Sequence, residues 1–246
     1  MRKRVVTSTA ENYLKAVLRL EDMNEKVSTS KVARRLDVVD GTVTDMLRKL
    51  QSAGLLEYTP YYGAALTPKG RVIALKIVRR HRLIELFLHQ IMGYGWEQVH
   101  DEAERLEHAV SDFFVERIDV LMNHPTQDPH GEAIPDARGF RAPEHDLCLA
   151  SAEPGLYTIR RVTSSNAALL EYLGNQGLLP ARTLSLISRA PFDGPLEILL
   201  TKTESARHIG IEVAKHVFVS PGKERGRARS SNSNQVPPSS KRRDRS

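Results

Sequence analysis

The sequence predicts a mainly α-helical chain with α+β parts, organised as three successive units and a tail. Three observations carry that reading. Apolar residues recur at helical spacing over most of residues 9–122, broken once by a short hairpin pattern. After residue 146 the pattern changes to short strand-like runs separated by glycine and proline. The charge divides along the chain in step. Residues 1–80 hold 16 basic and 8 acidic side chains, residues 81–221 hold 12 and 20, and residues 222–246 hold 8 and 2. The net +6 of the 246 residues therefore hides a basic start, an acidic middle and a basic end. Such asymmetry points to nucleic acid at one end and cations elsewhere.

Composition excludes several classes. With 40% hydrophobic and 27% charged residues the chain is globular rather than fibrous or disordered. One cysteine, Cys148, rules out a disulfide framework and a Cys-rich zinc module. No apolar run approaches the ~20 residues of a membrane span. The start, MRKRVVTSTAENYL, is basic but lacks the apolar stretch of a secretory signal. The expectation is a cytoplasmic protein without a membrane partner.

The elements follow in order. Tyr13, Leu14, Val17, Leu18 and Leu20 give residues 9–23 a helical stripe. Ser28 to Leu36 reads as a short helix. Asp40 is expected to cap the next helix, which ends at Gly54 as C′ glycine. Leu55-Leu56 and Leu66 flank the turn Tyr58–Gly63, a hairpin pattern. Thr67 and Pro68, as N-cap and N1, open a long helix to about Met92. Helices from Trp96 to His108 and Ser111 to Met122 come next, then a Pro/Gly/Asp-rich loop at 123–146. Strand-like runs at 156–159, 184–187 and 196–200, with a helix near Ala167–Leu173, suggest a small barrel. The expected units are 1–73, 74–146 and 147–220, with a disordered basic tail at 221–246.

Helix, helix, turn, helix and hairpin is the order of a winged helix-turn-helix. Such a head places one helix in the major groove while its neighbours bind phosphates. Thr42, Thr44 and Asp45 are the early outward positions of the expected recognition helix. Threonine hydroxyls reach bases or phosphates, and Asp45 is suited to accept from cytosine N4 or to point away. Lys31, Arg34, Arg35, Arg48 and Lys49 are the expected phosphate contacts, with Tyr61 and Tyr62 at the wing tip. A Lys/Arg run is usually only a solvated face; here it coincides with the helix-turn-helix pattern.

The acidic middle carries a second signal. His81 and Glu85, at i and i+4, share one helix face. His100, Glu104, Glu107 and His108 follow within nine residues. Imidazole with carboxylate suits manganese, iron, cobalt, nickel and zinc, and the absence of cysteine argues against a thiolate zinc site. A single His-x-x-x-Glu pair is more often a salt-bridged surface; two such groups on successive helices favour metal. His89 reads as an ordinary surface histidine, and His124, His130 and His145 receive no role.

The segments TAENYL, DGTVTDMLRKLQSAGLL, LTPKG, RRHRLIELFL, VHDEAERLEHAVSD and PHGEAIP resemble the diphtheria toxin repressor family of metal-dependent regulators, including its manganese transport regulator branch. The likeness covers about residues 6–220. It implies a winged-helix head, a helical dimerisation domain and a C-terminal SH3-like barrel similar to iron transport protein A. It also implies a homodimer that binds double-stranded operator DNA when loaded with Mn(II), or alternatively Fe(II). By the same resemblance the primary metal site falls on Asn12, Glu104, Glu107 and His108, and the ancillary site on His81, Glu85 and His100. Glu104 stands where iron-sensing members carry cysteine. Asn12 replaces a methionine or aspartate, and Lys15 replaces a second N-terminal carboxylate of some manganese regulators. Three-domain relatives add a ligand from the barrel, for which Asn166 or Glu171 is nearest in sequence; Glu171 joins the candidate set.

The expected function is therefore a repressor controlling metal homeostasis, not an enzyme. A metal-dependent hydrolase needs an open coordination position and a base in a cleft; no nucleophile motif or glycine-rich phosphate loop accompanies the cluster. A winged-helix module that binds proteins would differ from a DNA reader in lacking strong salt dependence.

Overall fold

The computed structural model describes residues 7–141, 145–201 and 205–222. Helix α1 (Ser8–Asp22) starts at Thr7, whose hydroxyl accepts from the Ala10 N–H. Helix α2 (Thr29–Leu36) starts at Ser28 in the same way and ends at Asp37, which is left-handed with φ of 52°. Helix α3 (Asp40–Ser52) differs from expectation by one residue. Val39 occupies the cap position without a side-chain bond, and Asp40 is the first helical residue. An acid there still faces the positive end of the helix, which explains why it read as a cap. Gly54 follows at φ +68°.

Strands β1 (Leu56–Thr59) and β2 (Gly63–Leu66) form the hairpin, with Leu56 opposite Leu66 and Thr59 opposite Gly63. Helix α4 (Pro68–Gln90) has Thr67 as N-cap and Pro68 in its first turn. Its 23 residues reach roughly 34 Å at 1.5 Å per residue. The first core contains Leu14, Leu18, Leu47 and Leu56 together with Ala74 and Leu75 of α4. The second contains Leu83, Ile84, Leu86 and Leu88, also of α4, with partners from two more helices. These are α5 (Val99–Leu106), through Val99 and Ala103, and α6 (Asp112–Leu121), through Val115 and Ile118. One unbroken helix thus runs through both cores, and the expected division at 73/74 falls inside it.

Helix α5 is shorter than the expected span of 96–108. Residues 96–98 turn aside, and Glu107 and His108 form the turn that leaves its C-terminus. Glu107 still donates its N–H to the Ala103 carbonyl at 2.8 Å.

The last unit comprises β3 (Leu147–Cys148), β4 (Gly155–Val162), α7 (Ala167–Asn175), β5 (Thr183–Arg189), β6 (Leu196–Leu200), β7 (Arg207–Ile209), α8 (Ile211–Ala214) and β8 (Val217–Pro221). Its antiparallel sheet has the order β3-β8-β4-β5-β6-β7. Register shifts at Ile159/Arg161 and Leu186/Ser188 bend β4 and β5, and Leu170 and Leu173 of α7 fill the concave side with Ile159, Leu184 and Val217. This is the SH3-like unit. Of the expected tail at 221–246, residues 223–246 lie outside the described residues.

The connecting loop is built rather than slack. Asp128 Oδ1 accepts the N–H groups of both His130 and Glu132 at 2.9 Å. Gly131 has φ +84°, and a Cβ there would lie 2.1 Å from the Arg160 carbonyl oxygen of β4, so only glycine fits. The His130 carbonyl accepts from Val162 N–H at 2.8 Å, which pins the loop to the SH3-like unit.

Candidate metal centre

One face of α1 carries Glu11, Lys15 and Arg19 at intervals of four, with Asn12 beside them. That face lies against the helical unit. His108 meets it: Nε2 is 2.7 Å from Asn12 Oδ1 and Nδ1 is 2.9 Å from Glu11 Oε2. The same Nε2 is 3.2 Å from Glu107 Oε1. Glu107 is fully buried. Lys15 Nζ donates to Glu104 Oε1 at 2.6 Å and to Glu107 Oε1 at 2.7 Å. Asn12, Glu107 and His108 are thus brought together, with Glu11 as an additional neighbour. Glu104 reaches them through Lys15, and its carboxylate groups instead with His81 and His100, the ligand atoms of these three lying within 4.8 Å of one another.

The second expected group is equally close. His81 Nε2 lies 2.9 Å from Glu85 Oε1 and 3.1 Å from His100 Nδ1, and His100 Nδ1 lies 3.1 Å from Glu85 Oε1. The two groups are contiguous, because His81 Nδ1 is 2.6 Å from Glu107 Oε2. Burial disfavours the His81 imidazolium. The Glu85 charge and hydrogen bonds to Glu107 and Glu85 outweigh it, and its pKa rises to about 9. Burial likewise opposes ionisation of Glu85, yet His81 and His100 hold it well below the usual carboxylate range.

Glu171 lies elsewhere. It is exposed on α7 and lines an open cavity of about 590 Å³ with His89, Trp96, Glu97 and Pro129. Neither compact group of ligand-type side chains among the described residues includes it. Asn166 is the N-cap of α7 and accepts from Leu169 N–H. The side chains that do approach Glu85 come from the loop: Asp128 and His130, both buried, with ligand atoms of all three within 4.8 Å of one another. Sequence reasoning gave His130 no role. The signal was the i, i+2, i+4 order Asp128, His130, Glu132 around a glycine, which sends alternate side chains inward. Burial and the Glu85 charge push the Asp128 carboxyl up to about 7. Arg82 lies 3.5 Å from Asp128 Oδ2 and opposes that rise.

The expected DNA contacts lie on the head. Arg34, Arg35, Thr42, Asp45, Arg48 and Lys49 are exposed on α2 and α3, while Lys31 and Thr44 are half-buried. Lys31 is engaged with Glu25, and the Thr44 hydroxyl donates to the Asp40 carbonyl. Tyr61 and Tyr62 stand out from the hairpin tip at 98% and 78% exposure.

The family model for the iron dependent repressor N-terminal DNA binding domain matches residues 5–64. The model for the iron dependent repressor metal binding and dimerisation domain matches residues 67–136, and the FeoA domain matches residues 148–221. The iron-dependent repressor IdeR of Mycobacterium leprae is 31% identical over 188 residues, 71% of this chain and 82% of that protein. The chain belongs to the diphtheria toxin repressor family. Within the family, the Mycobacterium tuberculosis IdeR is 35% identical over 130 residues, which span 53% of this chain and only 56% of the relative. Among solved structures, a manganese-dependent transcriptional repressor in complex with manganese superposes with a TM-score of 0.82 at 34% identity, covering 86% of this chain and 99% of that one. The T. acidophilum IdeR follows with a TM-score of 0.73 and 27% identity, over 89% of this chain and all of that one.

The residues fit the metal that these relatives' names imply. Amide oxygen, carboxylate and imidazole without thiolate form a hard to borderline donor set, suited to Mn(II) or Fe(II).

Proposed function

We propose that this chain is a metal-activated, homodimeric transcriptional repressor that binds double-stranded operator DNA in the cytoplasm. Mn(II) is the favoured metal and Fe(II) the other candidate. In this reading residues 1–73 are the DNA-binding head, 74–146 the metal-binding and dimerisation unit with its linker, and 147–220 the SH3-like unit. The observation that carries it is the position of the donor set. Asn12 of α1 meets His108 and Glu107, so the candidate ligands straddle the joint between head and helical unit.

Asn12, Glu104, Glu107 and His108 would hold one ion. Glu85 would serve a second with either His81 and His100 or Asp128 and His130. A bound divalent cation would supply a multidentate positive charge that draws ligand atoms of the head and the helical unit together. The chain's own residues do the rest. Glu11 orients His108, α1 carries the ligand atom of the head, and α3 presents Thr42, Asp45 and Arg48. Metal shifts the population toward heads held in one relation to the dimer, with recognition helices about 34 Å apart.

Dimerisation is supported by a run of exposed apolar side chains on α6 and the end of α4: Phe113, Phe114, Val120, Leu121, Ile91 and Met92. Several large apolar side chains left exposed on two neighbouring helices are the kind of surface a partner subunit covers. The relatives are named as repressors or regulators, and this chain is read as a regulator rather than an enzyme.

The test is selection of duplexes from a random pool in Mn(II), followed by binding measurements in Mn(II), Fe(II) and chelator. The reading expects a selected sequence whose affinity falls at least about tenfold in chelator, equivalent to roughly 1.4 kcal/mol. Equal affinity in chelator rejects it.

A further inference from the structure

The candidate centre already contains a cation that belongs to the chain. Lys15 projects from α1, and its ammonium bridges Glu104 and Glu107 at 2.6 and 2.7 Å. Its side chain is 20% exposed and that of Glu107 is fully enclosed, so water competes weakly for the bond. Lys15 comes from the head, whereas both carboxylates come from the helical unit. The contact is therefore a metal-independent tie across the same joint that the metal would close. Glu107 Oε1 is shared between this ammonium and His108 Nε2, at 2.7 and 3.2 Å. An ion that uses this oxygen meets the lysine there.

We propose that Lys15 is a tethered internal cation that holds the Glu104–Glu107 pair in the metal-free chain and competes with the divalent ion for it. The proposal rests on the metal-site reading above and adds a regulatory residue to it. An ammonium is a compact charge on a flexible stem with three donors and no acceptor. It satisfies carboxylate oxygens when no metal is present, and it withdraws from them without breaking a covalent bond. Two effects of opposite sign follow. Loss of the lysine charge destabilises the metal-free protein, because two carboxylates each lose a short ion pair. The same loss tightens metal binding, because the ion no longer displaces a resident charge. Lys15 thereby sets the free-metal concentration at which the head is locked. A lysine that mattered only for packing would move stability and affinity the same way. Glu107 keeps a second partner in His81, at 2.6 Å from Oε2, so the fold survives the exchange.

The test uses the full chain as wild type, Lys15→Met, Lys15→Gln and Lys15→Arg. Mn(II) affinity is read by calorimetry, and thermal midpoints are read in chelator. The expected result for Lys15→Met is Mn(II) binding tighter by about tenfold or more, together with a lower midpoint in chelator. Lys15→Arg should stay near wild type on both. If Lys15→Met does not fold without metal, Lys15→Gln supplies the same comparison. Unchanged or weaker Mn(II) binding by the neutral variants overturns the proposal. Binding by the neutral variants but not by wild type supports it in an extreme form. Absence of binding by every variant overturns the metal-site reading, and this inference with it.

Discussion

Arg19 of α1 donates to both carboxylate oxygens of Glu132, at 2.7 and 3.0 Å, and the far side of that carboxylate is held by Arg82 of α4. Burial opposes ionisation of Glu132, but the two guanidinium groups hold it far below the usual carboxylate range. Glu132 belongs to the same short loop as Asp128 and His130. The loop that faces Glu85 therefore also grips the head. Glu132→Ala should cost about 3 kcal/mol of stability, at the low end for stripping one partner from a buried pair because Arg19 is 28% exposed. Chemical denaturation checks this, and a loss below about 0.5 kcal/mol would show the triad to be inert.

The loop residues should also be visible in metal stoichiometry. His130→Ala together with Asp128→Asn is expected to lower Mn(II) uptake by one ion per chain while leaving the site at Asn12 and His108 filled. Equilibrium dialysis with metal analysis reads the count. Unchanged stoichiometry with both loop side chains removed assigns the second ion to His81, Glu85 and His100 instead.

Arg48 is exposed on α3 and is expected to face a phosphate. Arg48→Ala should weaken binding to all duplexes alike and reduce the slope of log affinity against log salt by about 1. A sequence-dependent loss with an unchanged slope would mean that Arg48 reads a base.

Phe113 is 71% exposed on α6. Replacing it with glutamate puts a charge into the proposed dimer seam, where desolvation is costly. Sedimentation should show a shift from dimer toward monomer, and DNA affinity should fall with it. A dimer of unchanged stability places the interface elsewhere.

The sole tryptophan reports on the join to the SH3-like unit. Trp96 packs at a tilt of 41° against His130 with centroids 5.3 Å apart, and a Cβ at Gly174 of α7 would lie 2.8 Å from its indole nitrogen. Gly174→Ala should shift Trp96 emission to the red as α7 is pushed away. An unshifted spectrum would mean that the helix yields locally instead.

The reading head was legible from sequence because its elements are local. Thr67 caps α4 where the Thr-Pro pair suggests, the short helix after Ser28 starts where it was expected, and the hairpin is announced by its turn. The candidate ligands His81, Glu85, His100 and Glu104 on α4 and α5 were legible because i, i+4 spacing places side chains on one face. What periodicity does not encode is what a loop brings in from a distance. Asp128, His130 and Glu132 sit in a Pro/Gly-rich stretch, and their burial depends on Gly131 passing against β4. The shortened α5 has the same origin: Trp96 leaves the helical pattern to pack on α7. Lys15 was visible as a departure from the family pattern, but its bond to Glu104 and Glu107 spans about 90 residues and exists only in the fold.

The central claim is that metal and DNA are coupled through the joint at Asn12 and His108. Linkage tests it most directly, since each ligand must change the other's affinity by one common factor. Mn(II) affinity is measured with and without a saturating selected duplex, and duplex affinity with and without saturating Mn(II), for wild type and His108→Ala. The account predicts equal factors well above one for wild type, collapsing toward one in His108→Ala. Factors of one in the wild type, with both ligands bound, would contradict it.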